Sequence, residues 1–205
     1  VRNLVDCIKV YKGALSSAFC DALLAEYPEH EFGTSQVMYD NTDEASILNG
    51  VSSYVNEGNR RSRAVMLSNQ NIVYRQELDK GVFDAFTKAI ADYKIDFPGF
   101  RSLHDTGYEL IRYDVGGFFR IHVDQFTSGT QGNIGGSPDK RILSCVALVN
   151  NDFEGGELAF FEGEDRYVPE LNKGDVVLFP STFLFPHEVT KVTKGIRYSI
   201  VTWFI

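Results

Sequence analysis

Nowhere in the 205 residues is there an apolar run of about 18, the length that a helix needs to cross a membrane, so no membrane span is expected. Basic charge is also in short supply. Lys and Arg number 20 against 28 Asp and Glu, a net charge of −8. Binding a phosphate backbone needs a basic field, so nucleic acid is not expected as the main partner. The one basic cluster is NRRSR at 59–63. Cysteine is scarce: Cys7, Cys20 and Cys145 are too few and too scattered for a disulfide framework or a cysteine metal site. A reducing, cytoplasmic setting is the simpler expectation. No signal or transit pattern opens the chain, although it begins at Val1, which is compatible with a trimmed leader. Internal repeats, low-complexity tracts and evident linkers are missing too, and a single domain is expected over 1–205.

What is present falls into two stretches of different period. In SSAFCDALLAEYP (16–28) serines stand at the cap position, Phe19, Ala22 and Leu23 form an apolar face, and Pro28 stops the pattern. Between Asn69 and Tyr93, Leu78, Val82, Phe86, Ile90 and Tyr93 recur at helical spacing, with Gly81 a weak point. Residues 31–68 fit neither period. From Gly107 onward short β-rich runs follow one another, from YELIRYD and FFRIHVD to IRYSIVTWF, with glycine, proline or polar turns between most of them. The expected fold is mainly β within an α+β frame. A helical support region over 1–105 packs outside a barrel or sandwich core over 106–205.

The chemistry starts from FFRIHVDQ. His122 and Asp124 are two positions apart, so on a strand both point to one face. Only four histidines exist; His30 and His104 sit in polar, helix-side sequence, whereas His187 opens another β-rich run in FLFPHEV. A jelly-roll would return the chain to the same mouth there. Two histidines and one carboxylate form the facial triad of non-haem Fe(II) oxygenases, which leaves coordination positions open. Ten positions past His187 comes Arg197, a charge in an otherwise apolar strand that is costly to bury without a partner. Its planar fork suits a carboxylate, and Ser199 on the same face adds a hydroxyl. A metal protein that is not an oxygenase, such as a cupin-like binding module or a zinc hydrolase, has the same use for the three ligands but none for Arg197.

The order and flanks of YDVGGFFRIHVDQ, RILSCVALVNNDFEGGELAFF, KGDVVLFPS and PHEVTKVTKGIRYSIVTW resemble the Fe(II)/2-oxoglutarate-dependent oxygenases, in their prolyl 4-hydroxylase-like branch, over about 107–204. The resemblance implies a double-stranded β-helix core, with His122, Asp124 and His187 as metal and catalytic residues. It also implies that Arg197 holds the distal carboxylate of 2-oxoglutarate, with Tyr113 beside the co-substrate and Ser199 assisting. Fe(II), 2-oxoglutarate and dioxygen are the implied cofactor and co-substrates, with ascorbate as an accessory. The implied reaction hydroxylates an unactivated C–H bond, releasing succinate and carbon dioxide. Retention of Asp124 argues against the halogenating branch.

The implied substrate is a prolyl residue of a peptide or protein, and the alternative is a free amino acid or small metabolite. One departure bears on that choice: where prolyl hydroxylases usually carry a tyrosine on the strand after the lid, this chain has Leu148. The glycine-rich QFTSGTQGNIGGSPDK (125–140) is the expected lid. Arg61 and Arg63, with Arg60, and Trp203 on the Arg197 face are the expected substrate-side residues. A solvated charged turn and plain core packing are their respective alternatives.

Overall fold

The computed structural model describes residues 3–38, 53–67, 72–101, 104–125 and 141–205. The expected lid lies outside them apart from Gln125. Two α-helices are described. The first, α1 (Ser17–Glu26), starts where the Ser16 hydroxyl accepts the Phe19 amide, and it ends just before Pro28. The second, α2 (Val73–Asp96), runs straight through Gly81. A side chain at that position would collide with the Phe19 ring, so the missing Cβ lets α1 and α2 approach closely. The helical cost of glycine is offset by this contact.

Fifteen strands are described, among them β1 (Lys9–Tyr11), β2 (Gly33–Thr34), β3 (Val37–Met38), β4 (Ser53–Tyr54), β5 (Arg60–Arg61), β6 (Arg63–Met66), β7 (Glu109–Tyr113) and β8 (Phe118–His122). The rest are β9 (Leu143–Leu148), β10 (Phe153–Gly155), β11 (Leu158–Phe160), β12 (Val176–Pro180), β13 (His187–Val189), β14 (Val192–Gly195) and β15 (Arg197–Phe204). A large sheet runs β1-β12-β9-β15-β7-β6-β2, and a smaller one β11-β13-β8-β5. Every pairing in both sheets is antiparallel.

Side-chain alternation splits the large sheet between two cores. Leu143, Cys145, Ala147, Val176, Leu178 and Ile200 face the helices and meet Leu23, Leu78, Val82, Phe86 and Ile90. Ile111, Tyr113, Val146, Val177, Phe179 and Val201 face inward and pack on Leu158, Phe160 and Val189 of the small sheet. The helical repeat read from Leu78 to Tyr93 is therefore the buried stripe of α2. The sequence reading of 1–105 as helical support needs one correction. That stretch also supplies β1, β2 and β6 to the large sheet and β5 to the small one. These strands are two to four residues long, too short for alternation to register.

Candidate active site

The small sheet brings the two histidines face to face. His187 pairs directly with His122 across β13 and β8, and their rings lie 4.3 Å apart at 55°. Asp124, just past the end of β8, meets both: its Oδ1 is 3.6 Å from His122 Nε2 and its Oδ2 is 3.5 Å from His187 Nε2. One ligand atom from each residue falls within 4.8 Å of the others. In each histidine Nδ1 lies within hydrogen-bond distance of a backbone carbonyl, that of Arg120 at 2.8 Å and of Phe185 at 3.0 Å. A carbonyl can only accept, so Nδ1 carries the proton and Nε2 keeps its lone pair. Both lone pairs turn toward the carboxylate. This is the tautomer a divalent metal requires, and the donor set fits the two-histidine, one-carboxylate facial arrangement.

A second layer fixes the carboxylate. Ser144 Oγ donates to Asp124 Oδ2 at 2.6 Å and lies 2.8 Å from Ser181 Oγ, so the Ser181 hydroxyl donates onward to Ser144. Gln125, next to Asp124, donates its amide to the Ser181 carbonyl at 2.8 Å. Burial holds His122 well below its usual pKa, and the neighbouring His187 acts in the same direction. For Asp124 burial acts upward, but His187, His122, Arg141 and the Ser144 hydrogen bond outweigh it and hold the carboxyl low. These directions favour a neutral imidazole at His122 and an ionised carboxylate at Asp124.

Deeper between the sheets, the inner face of β15 presents Arg197, Ser199, Val201 and Trp203. Arg197 is 1% exposed, yet among the described residues no carboxylate pairs with it. Its Nη1 donates to Ser199 Oγ at 2.9 Å, its Nε has no described partner, and its guanidinium carbon lies 5.3 Å from the centre of the Tyr113 ring. Burial consequently pulls its pKa below the ordinary value, with only Tyr113 acting in the other direction. A buried, under-satisfied guanidinium is costly unless a ligand completes it, and a carboxylate is its best-matched partner. Leu148 pairs with Ser199 in the register, so the wall beside the guanidinium is apolar there. Gly156 leans on the arginine stem. A Cβ there would lie 2.9 Å from both Arg197 Cδ and Val192 Cγ2, and its φ is +63°.

At the mouth, the Arg141 guanidinium sits 3.4 Å from the centre of the Trp203 ring. Burial pulls Arg141 down to about 10, against the opposing attraction of Asp124 and Glu109. On the other side Phe119 stacks on His122, ring centres 3.6 Å apart at 17°. Arg60 lies over that phenylalanine at 4.8 Å.

The 2OG-Fe(II) oxygenase superfamily profile matches residues 108–205, the stretch that holds His122, Asp124, His187 and Arg197. The match covers just under half of the chain. Sequence relatives include a PKHD-type hydroxylase of Psychrobacter sp., 36% identical over 98 residues, covering 44% of this chain and 34% of the relative. A PKHD-type hydroxylase of Xylella fastidiosa is 28% identical over 137 residues, 63% of this chain and 55% of the relative. The chain thus spans between about a third and about half of these relatives' length. Among solved structures, a Trichoplax adhaerens prolyl hydroxylase in complex with a hypoxia inducible factor peptide fragment superposes with a TM-score of 0.71 at 18% identity. The match covers 97% of this chain and 83% of that one. A Pseudomonas putida prolyl-4-hydroxylase gives 0.63 at 20% identity, over 98% and 96%. At these identities the likeness is one of fold.

Within residues 108–205 the structure gathers His122, Asp124 and His187 into one cluster, and Arg197, Tyr113 and Ser199 into the adjoining pocket. Trp203 shares the inner face but stands at the mouth, under Arg141. The two basic residues expected on the substrate side are placed differently. Arg63 is engaged by Glu29 and Asp114, both at 2.8 Å, and Arg61 is exposed at the edge of β5 with Glu57 4.0 Å away. From the same cluster it is Arg60 that turns inward. Sequence reasoning missed Arg141, Ser144, Ser181 and Gly156. Parity offers a signal for Ser144, a polar residue on the inward face of an otherwise apolar strand. Nothing comparable marks Arg141, which follows the glycine-rich stretch 125–140 in sequence.

Proposed function

We propose that this protein is an Fe(II)- and 2-oxoglutarate-dependent dioxygenase, built as one domain over 1–205 around a double-stranded β-helix. In this reading His122, Asp124 and His187 hold the metal, while Arg197, with Ser199 and Tyr113, receives the distal carboxylate of 2-oxoglutarate. The observation that carries it is Arg197: a buried guanidinium with no described acidic partner, on the inner face beside a metal-ready triad. A zinc hydrolase or a cupin-like binding module explains the triad but leaves that charge without purpose. Bound Fe(II) with 2-oxoglutarate and dioxygen supplies the oxidising power for hydroxylating an unactivated C–H bond, with release of succinate and carbon dioxide. The chain's own contributions are the fixed Nε2 lone pairs, the carboxylate held by Ser144, and the apolar walls of Phe179 and Phe160 around His187.

The preferred substrate is a prolyl residue of a peptide or protein. Trp203 supplies a flat apolar plate and Arg141 a donor that suits a peptide carbonyl, and the fold neighbours include a prolyl hydroxylase holding a peptide. A second reading, the same chemistry on a free amino acid or small metabolite, draws on Leu148, which makes the wall beside Ser199 apolar. Three scattered cysteines suit a reducing, cytoplasmic setting. The test is succinate release by Fe(II)-loaded protein offered proline-rich peptides or free amino acids, with and without ascorbate, and mass spectrometry for one added oxygen. Peptide-dependent succinate with a matching oxidised peptide is expected. Turnover on free amino acids alone would establish the second reading, and no succinate under any condition would overturn both.

A further inference from the structure

The register of β8 contains an irregularity beside the triad. Val189 pairs with Phe119, whereas His187, two residues earlier, pairs with His122, three residues later. The β8 side therefore carries one extra residue. Its trace in burial is the consecutive exposed pair Arg120 and Ile121, while on the other edge of β8 the Arg120 amide donates to the Asn59 carbonyl at 2.8 Å and continues the β5 pairing without a break. In a regular strand, residues three apart point to opposite faces. The bulge cancels that alternation and puts Phe119 and His122 on the same side, where their rings stack at 3.6 Å and 17°.

Apart from this stack and its contacts with the His187 ring and Asp124, His122 has one described hydrogen bond, from Nδ1 to the carbonyl of Arg120 in its own strand. That bond fixes the tautomer, but a single bond at one ring nitrogen does not by itself fix the plane of the ring. Phe119 lies flat against the ring, and Phe119 is itself overlaid by Arg60 at 4.8 Å. Arg60 is in turn immobilised from its own side: Nε donates to Ser62 Oγ at 2.9 Å, Nη1 to the Gln36 carbonyl at 3.1 Å, and Nη2 lies 3.8 Å from Glu109. The backbone completes the arrangement, because Arg60 pairs with Phe119 in the β5–β8 register.

We propose that Phe119, braced by Arg60 and brought to the inner face by the β8 bulge, is a positioning residue that fixes the plane of His122 for metal binding. The inference rests on the metal-site reading above and adds a residue outside the ligand set. Phe119 touches neither metal nor co-substrate in this role. It acts by keeping the His122 Nε2 lone pair aimed at the point where His187 and Asp124 converge.

The test is anaerobic titration of the metal-free chain with Co(II), following the visible ligand-field spectrum, for wild type, Phe119→Leu and Phe119→Tyr. The Leu variant keeps apolar bulk without a flat face, and the Tyr variant keeps the face. The proposal expects Phe119→Leu to weaken Co(II) binding about fivefold or more, the scale of lost ring stacking and of disturbed outer-shell support, and to alter the spectrum. Phe119→Tyr is expected to match wild type in both. Thermal unfolding of the metal-free forms reports on folding. Phe119→Met serves the same comparison should the Leu variant not fold. Wild-type affinity and spectrum in Phe119→Leu would overturn the proposal while leaving the metal site standing, as would a Tyr variant as weak as Leu. Failure of the wild type to bind Co(II) would overturn the metal-site reading and this one together.

Discussion

Arg197 stands directly across from Tyr113 in the β15–β7 register, and its buried guanidinium lies 5.3 Å from that ring without a carboxylate among the described residues. On the function proposed above, this uncompensated charge is retained at a cost in stability for a carboxylate ligand. Replacing Arg197 by Met should therefore raise the melting temperature of the ligand-free protein, since an uncompensated charge leaves the interior. The same variant should lose affinity for 2-oxoglutarate. Charge-assisted hydrogen bonds are worth about 1.5–3 kcal/mol, or roughly 10- to 150-fold in the apparent KM. Metal affinity should stay within about twofold, because Arg197 touches no ligand of the triad. Thermal shift with and without 2-oxoglutarate, together with a steady-state titration, checks all three.

Gly156 predicts a quieter defect in the same pocket. An alanine there would press on Arg197 Cδ and Val192 Cγ2 at 2.9 Å and sit at φ +63°. We expect Gly156→Ala to destabilise the fold by about 1–2 kcal/mol and to raise the apparent KM for 2-oxoglutarate more than it lowers kcat. A kcat loss with unchanged KM would mean that the arginine stem tolerates the push.

Ser144 is linked to Asp124 at 2.6 Å and to Ser181 at 2.8 Å. Ser144→Ala removes the only described hydrogen bond to the Asp124 side chain and leaves the Ser181 hydroxyl without that acceptor. Metal affinity should fall about 10-fold or more, measured by competition with a chromophoric chelator. Unaltered affinity would show that the carboxylate is aimed by the backbone alone.

Away from the site, Asp114 bridges Arg112 and Arg63 just before the Gly116–Gly117 turn that leads into β8. Burial alone would raise its pKa, but hydrogen bonds from the two arginines outweigh that and hold it below the ordinary carboxylate value. A depressed folded-state pKa contributes stability above the unfolded value, about pH 4, and that contribution is lost as pH falls through the folded value. The stability gap between wild type and Asp114→Asn should thus be constant above about pH 5 and close as the pH drops below 4. Urea unfolding across this range reads it directly, and a gap that persists in acid would remove the charge from the explanation.

Much of this arrangement is legible in the sequence. The His122-Asp124 spacing, the lone apolar context of His187 and Arg197 ten positions later each follow from strand parity and the cost of burying charge. The stripe from Leu78 to Tyr93 is legible because helical period survives over several turns. What escapes is whatever depends on pairing across long separations. The stretch around Arg60 has no period because its strands are two to four residues long, and only β5–β8 pairing carries it to the site. The bulge at Arg120–Ile121 is invisible in the chain itself, since one extra residue exists only relative to β13. Gly81 reads as a weak point in a helix and turns out to be the place where Phe19 fits.

The measurement that tests the central claim most directly is anaerobic addition of 2-oxoglutarate to the Fe(II)-loaded chain, watched for the visible charge-transfer band of a 2-oxo acid chelated to ferrous iron. Wild type should develop the band and saturate. His187→Ala should give none, and Arg197→Met should require at least about 10-fold more 2-oxoglutarate. A wild type that binds Fe(II) yet shows no band at any 2-oxoglutarate concentration, or a His187→Ala variant that shows it in full, would contradict the account.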